Sequence, residues 1–66
     1  MKVSECFNII PEVNLGYVRM IEYVSGGEAK ERTLGSFTTR ELYDVQSKDV
    51  SAYYSIGEYW YIVYIA

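Results

Sequence analysis

The chain has 66 residues, a formal net charge of −3, eight tyrosines, one tryptophan, one cysteine and no histidine. A single cysteine excludes an intrachain disulfide, and the lack of histidine disfavours a zinc site and removes the commonest general base of enzymes. The acidic balance disfavours binding to duplex nucleic acid, whose phosphates attract basic proteins. These properties predict one small domain, residues 1–66, with no cofactor and no enzymatic activity.

No segment has the features of a membrane or secretion signal. The first ten residues carry one lysine and no long apolar run. The longest apolar run, residues 59–66, is far shorter than the roughly 20 residues that span a bilayer. We therefore expect a cytoplasmic protein without a membrane partner, starting at Met1 as a complete small gene product; the lone cysteine fits a reducing compartment.

The N-terminal segment has the periodicity of a short helix. Val3, Cys6, Phe7 and Ile10 recur at the spacing of one helical face. Pro11 restricts the residue before it, which predicts that the helix ends there and that PEVN forms a turn. On this face Cys6 is expected to be a small buried hydrophobe rather than a nucleophile.

The next two segments predict a β-hairpin. Residues 15–24, LGYVRMIEYV, are rich in β-branched and aromatic side chains and predict a strand. SGGE predicts the turn, because glycine accepts a positive φ without strain, and AKERTLGSF predicts the return strand. A three-residue loop, 25–27, would place Glu22 across from Lys30. A two-residue loop would oppose Glu22 and Glu31, so we favour the first register.

The segment FTTREL carries the clearest local signal in the chain. Thr38 and Glu41 have the spacing of a capping box, in which each side chain bonds the backbone of the other residue. Phe37 and Leu42 stand where a hydrophobic staple would join them. A short helix over about 39–46 follows from this pattern.

The C-terminal segment predicts a second hairpin, VSAYYSI and YWYIVYI around GE. Gly57 at the first loop position suits a type II′ turn. The implied cross-strand pairs are Ile56 with Tyr59, Tyr54 with Tyr61, Ala52 with Val63, and Val50 with Ile65. The predicted fold is therefore α+β: a short N-terminal helix and an antiparallel sheet from two β-hairpins, with a short helix between the hairpins (α-β-β-α-β-β).

Both faces of this second hairpin are apolar. The more aliphatic face is the expected core, and it carries Val50, Ala52, Tyr54, Ile56, Tyr59, Tyr61, Val63 and Ile65. The other face carries Tyr53, Trp60, Ile62 and Tyr64, where a solvated face would carry charged side chains. Three alternatives remain open for it: coverage by the first helix through Phe7 and Ile10, a partner surface that includes a second copy, or a stacking platform for bases.

The excess of tyrosine over phenylalanine favours an interface, because a tyrosine combines a buried ring with a solvated hydroxyl. We therefore take Tyr53, Trp60, Ile62 and Tyr64 as candidate contacts for a partner or for self-association. A candidate anion- or phosphate-binding set consists of Arg19, Lys30, Arg32 and Arg40. Lys30 and Arg32 share a face of the second strand; scattered solvated charges are the alternative explanation of this set.

The arrangement of VSECFNII, YVRMIEY, TLGSF, TTRELYDV and the closing VSAYYSI and YWYIVYI strands resembles small proteins of bacteriophages and mobile elements of Gram-positive bacteria. The resemblance is a pattern of apolar positions and transfers no functional residue. It implies an anti-defence role, since some small phage proteins block host immunity by binding an immune protein and others by sequestering its nucleotide signal.

We therefore expect a non-enzymatic, homo-oligomeric binding protein that inhibits a bacterial defence protein stoichiometrically. The first alternative is a homo-oligomeric sponge for a cyclic or other nucleotide immune signal, built at a subunit interface. An acidic DNA mimic and a structural or assembly protein of a phage are further alternatives.

Overall fold

The computed structural model describes residues 1–24 and 26–66. It confirms the α+β class and the order helix, two strands, helix, two strands. Two short 3₁₀ helices, Glu12–Tyr17 and Leu34–Ser36, supplement this order. The main elements are α1 (Val3–Ile9), β1 (Val18–Val24), β2 (Glu28–Thr33), α2 (Thr39–Val45), β3 (Val50–Ile56) and β4 (Tyr59–Ile65). Within the described ranges, no helix is long and apolar enough to cross a membrane.

The four strands form one sheet in the order β2-β1-β4-β3. Each hairpin is antiparallel, as expected, but the hairpins join through a parallel pairing of β1 with β4. The sheet is therefore mixed rather than wholly antiparallel. A parallel pair needs a long crossover connection, which β2, α2 and β3 supply here.

The first hairpin has the register that avoids opposing like charges, with Glu22 across from Lys30. Gly26 and Gly27 have φ of 108° and 86°, which suits the predicted turn; Ser25, the first residue of that turn, lies outside the described residues. The expected start of the first strand at residue 15 is wrong. Residues 12–17 form a 3₁₀ helix rather than a turn and a strand start.

The second hairpin has three of the four expected pairs: Ile56 with Tyr59, Tyr54 with Tyr61, and Ala52 with Val63. Gly57 in its turn has a φ of 60°. Val50 is the exception, because a register shift between Val50 and Ala52 places it opposite Tyr64 rather than Ile65. Such a bulge adds a residue to one strand and reverses the side on which the following side chains point. It turns Val50 toward the hydrophobic core, where it packs.

The core lies on one side of the sheet, the inner face, which α1 and α2 cover. Its buried residues are Val3, Cys6, Ile10, Val18, Met20, Val45, Ile62 and Tyr64. Phe7 packs against this cluster beside Ile10, so the alternative in which the first helix covers the second hairpin face is confirmed. The expectation that the more aliphatic face forms the core is wrong, because both helices pack on the opposite side.

The second helix begins as its capping signal predicts. The Glu41 backbone N–H donates to Thr38 Oγ1 at 3.1 Å, and the Thr38 N–H donates to Glu41 Oε1 at 3.0 Å. Arg32 of β2 also binds Glu41, through Nη1 at 2.8 Å and Nη2 at 3.3 Å. Its guanidinium lies 4.0 Å from the centroid of the Phe37 ring. These contacts fix the start of α2 against the edge of the sheet.

Candidate binding surfaces

The face of the sheet opposite the helices, here called the outer face, is apolar and aromatic. Cross-strand pairing sets its members, because paired residues point to the same side of a sheet. Its side chains from β1, β3 and β4 are Arg19, Ile21, Tyr23, Ala52, Tyr54, Ile56, Tyr59, Tyr61, Val63 and Ile65. Neither α1 nor α2 packs on this face; the first 3₁₀ helix touches it through Tyr17.

Large apolar side chains of the outer face are open to solvent. Ile56 is 63% exposed and Ile65 is 54% exposed, and Tyr23, Tyr54 and Tyr59 are exposed as well. Along the described strands β1, β3 and β4, Arg19 is the single charged residue on this side. Exposed apolar patches on proteins are commonly interaction sites, so the outer face is the candidate binding surface.

The aromatic rings of the outer face are held by each other. Tyr54 and Tyr61 stack with centroids 5.0 Å apart and an interplanar angle of 14°. Tyr17, from the first 3₁₀ helix, meets Tyr59 edge-on at 5.8 Å, and the Arg19 guanidinium lies 5.6 Å from the centroid of the Tyr59 ring. Such contacts restrict the rings, so less conformational entropy is lost when a partner binds.

The four predicted contact residues lie on the other side of the sheet. Ile62 and Tyr64 are 0% and 2% exposed in the core, and Trp60 is partly buried against it. Only Tyr53, on edge strand β3, is open to solvent, at 43% exposure. Ile62 and Tyr64 are therefore not available as a contact surface in this fold, because the core that contains them lies beneath α1 and α2.

The sequence pattern predicts that the second-hairpin side chains of the outer face, such as Tyr54, Ile56 and Tyr59, form the core. The available signal was that Val50–Ile56 and Tyr59–Ile65 contain no charged residue, so both sides of the hairpin avoid water. Alternation assigns each side chain to a face but does not say which face the helices cover.

A second candidate site is a cleft of about 310 Å³ between the inner side of β1–β2 and α2. Its lining residues are Glu22, Lys30, Arg32, Phe37, Glu41, Asp44, Val45, Lys48 and Tyr64. The three basic and three acidic side chains balance one another. The cleft therefore lacks the excess of positive charge that a polyphosphate requires.

The four predicted anion-binding residues do not come together. Lys30 and Arg32 share the inner side of β2 and line the cleft, but Arg32 is already paired with Glu41. Arg19 lies on the outer face, and Arg40 is an exposed residue of α2 that does not line the cleft. The structure thus splits the set between the two sides of the sheet.

Glu41 and Tyr64, both in the cleft, have large pKa shifts, and the side-chain hydrogen bond to Glu41 also raises the pKa of Arg32. The hydrogen bond from Arg32, with that from the Thr38 backbone, lowers the pKa of Glu41 to about 2. Burial, with the nearby Glu22 carboxylate, raises the pKa of Tyr64 to about 12. The Tyr64 hydroxyl donates to Glu22 Oε2 at 3.3 Å. Both shifts move away from neutral pH, the opposite of what general acid–base catalysis needs.

In the described part of the chain, no group of three or more acidic or cysteine side chains could hold a metal ion. No family model, curated protein or solved structure matches this chain.

Proposed function

We propose that this chain is a non-enzymatic protein that binds another protein stoichiometrically through the outer face. The observation that carries the proposal is the solvent-open apolar patch formed by residues such as Ile56, Tyr59 and Ile65. A chain of this size gains stability from every apolar side chain it buries, so an uncovered apolar face has a cost. A partner bound to the outer face would bury the apolar side chains that α1 and α2 leave exposed.

The composition of the outer face favours a protein partner over a nucleic acid. Interface cores are depleted in charge and enriched in tyrosine, which matches a face where Tyr23, Tyr54 and Tyr59 are exposed and Arg19 is its one cation along β1, β3 and β4. Nucleic-acid binding requires clustered cations, whereas the net charge of this chain is −3.

The proposed partner class is a bacterial defence protein, which the chain would inhibit in the cytoplasm of an infected cell. The resemblance of the apolar pattern to small phage proteins supports this class. Direct masking of a functional surface needs no catalytic group, consistent with the pKa shifts away from neutrality at Glu41 and Tyr64.

The proposal can be tested in bacterial strains that each carry one defence system. Expression of the wild-type chain is expected to restore phage plaque formation in at least one strain. Tyr59→Ala is expected to abolish that restoration and to weaken binding to the purified target by roughly tenfold or more in calorimetry, the loss typical of a hot-spot tyrosine.

The matched control is Tyr43→Ala, which removes an exposed tyrosine of α2 instead of one on the outer face. It should restore plaques and bind like the wild type, at a stoichiometry of one chain per target site. Equal loss in both variants, or no loss in Tyr59→Ala, would contradict binding through the outer face.

The nucleotide sponge remains a second proposal because Lys30, Arg32 and Lys48 do line one cleft with Tyr64 and Phe37. The carboxylates in the same cleft would repel the phosphates of a nucleotide, so we rank the sponge below protein binding. A panel of cyclic nucleotides distinguishes the two, since a ligand that binds only the folded state raises the melting temperature. The absence of any shift across the panel would eliminate the sponge and leave outer-face binding intact.

A further inference from the structure

The two edges of the sheet differ in how they are protected. Edge strand β2, EAKERT, carries four charged side chains among its six residues. Edge strand β3, VSAYYSI, carries none among its seven. Charged side chains on an edge prevent unpaired backbone groups from joining another strand, and an edge without them is a pairing site. Of the two edges in the described sheet, β3 is therefore the one left open to pairing.

Part of the β3 edge is already occupied by the N-terminus of the same chain. The Val50 N–H donates to the Met1 carbonyl at 2.9 Å, and Lys2 forms an isolated bridge with Asp49. The open part therefore runs from Ser51 to Ile56, and its residues are exposed.

The open stretch presents backbone groups in a regular order. Ile56 and Tyr59 close a two-residue hairpin, and such a closing pair is hydrogen-bonded. Because hydrogen-bonded and non-hydrogen-bonded pairs alternate, Tyr53 and Ser55 point their N–H and C=O groups away from β4. A further strand could accept and donate these bonds.

We propose that β3 pairs antiparallel with β3 of a second copy, with Tyr54 at the two-fold axis. In this register Ala52 lies opposite Ile56 and Tyr53 lies opposite Ser55 of the other copy. The two residues of each pair point to the same side of the sheet. The inner faces of the two copies are therefore continuous, and so are the outer faces. Ending the pairing at Ala52 also keeps the second strand clear of Met1.

The residues of β3 suit a second copy rather than an unrelated strand. When two copies of this stretch pair, no like charges face each other. The small Ala52 side chain of one copy lies opposite the large Ile56 side chain of the other. Tyr54 meets its own copy in a non-hydrogen-bonded pair, where side chains are closest. The stacked pair of Tyr54 and Tyr61 then continues into the same pair of the second copy.

This dimer goes beyond the binding function proposed above, and it rests on the edge rather than on the outer face. Pairing the two β3 strands makes one eight-stranded sheet, which follows from four strands in each copy. The two outer faces become one continuous surface on the same side. A partner with two-fold symmetry could then be bound at both halves at once.

The first test is the solution mass by light scattering over a wide range of concentration. The wild type is expected at twice its chain mass of 7.6 kDa. Ser55→Pro removes an N–H that points away from β4, so it should leave the chain folded and reduce the mass to that of one chain. Ser55→Lys places a charge on the same edge and should give the same halving.

The matched control is Ser47→Lys, which adds the same charge at an exposed serine away from the sheet. It should remain a dimer. Circular dichroism confirms the fold of each variant, and the lysine variant decides the outcome if the proline variant unfolds. A wild type that stays monomeric at its highest soluble concentration, or Ser55 variants that remain dimers, would overturn the proposal.

A second test examines the register. Tyr54→Cys should form an intermolecular disulfide under mild oxidation, because Cα atoms of a non-hydrogen-bonded pair lie about 4.5 Å apart, within disulfide range. Tyr23→Cys places the thiol on an interior strand of the same face and should not cross-link. Cross-linking of Tyr23→Cys and not of Tyr54→Cys would overturn edge pairing. Outer-face binding by Ser55 variants would still be measurable in either case.

Discussion

At the scale of single residues, Tyr64 explains why a core can contain tyrosine. Its ring is buried, and its hydroxyl reaches Glu22. Among residues 1–24 and 26–66, every buried side-chain nitrogen or oxygen has a hydrogen-bond partner. Tyr64 therefore does not mark an interface, because a tyrosine hydroxyl can also be satisfied by a carboxylate at the edge of a core.

Glu41 gives a prediction about pH. Its pKa is lowered from 4.5 to about 2 in the folded chain, so its ion pair with Arg32 stabilises the fold fully above pH 4.5. This contribution is lost as the pH falls from about 4.5 to about 2. Glu41→Gln should lower the free energy of unfolding at neutral pH and flatten the acid limb of its pH profile, measured by urea denaturation.

The control for this prediction is Glu12→Gln, which removes the same charge at an exposed residue outside the ion pair. It should retain the acid limb of the wild type. An unchanged acid limb in Glu41→Gln would mean that other carboxylates cause the loss of stability.

At the scale of elements, local signals were sufficient for the turns and the second helix. The capping box at Thr38 and Glu41 and the turn at Gly57 depend on residues close in sequence, so pattern alone predicts them. The pairing of Glu22 with Lys30 also follows from a local comparison of like and unlike charges.

The turn at Gly57 gives a prediction about stability. Gly57 has a φ of 60°, a conformation that L-residues adopt at a cost. Gly57→Ala should destabilise the fold by about 1 kcal/mol, measured by thermal denaturation. Gly35→Ala is the control, because Gly35 has no positive φ and open space around its Cβ position. Equal effects of the two substitutions would contradict the role assigned to this turn.

The choice of buried face could not be made from local signals. Trp60, Ile62 and Tyr64 alternate along β4 with residues that are equally apolar. The alternation and the hydrophobicity of the side chains therefore allow either face of the strand to be the buried one. The helices decide between them by packing on one side, which is a tertiary property. The bulge beside Ala52 adds to the difficulty, since a one-residue shift returns Val50 to the core side.

At the scale of the whole molecule, the parallel pairing of β1 and β4 defines the two sides. It aligns Val18 with Trp60 and Met20 with Ile62 beneath the helices. It equally aligns Ile21 with Val63 on the outer face. The sheet has two apolar faces and one layer of α-helices, so α1 and α2 cover only one face, and the proposed partner would cover the other.

Two isoleucines of β4, on opposite sides of the sheet, test this division. Ile62 is fully buried and Ile65 is half exposed. Ile62→Ala should cost about 2–5 kcal/mol, a large part of the roughly 3–10 kcal/mol expected for a domain of this size. Ile65→Ala should change the free energy of unfolding by no more than about 0.5 kcal/mol and should weaken partner binding instead.

Urea denaturation and calorimetric binding to the target, measured on the same two preparations, separate these effects. A stability loss confined to Ile62→Ala, with a binding loss in the fully folded Ile65→Ala, is the expected pattern. If Ile65→Ala instead lost as much stability as Ile62→Ala, the outer face would have to be covered within the free protein. The apolar side chains there would then be core, and the partner would have to bind another surface.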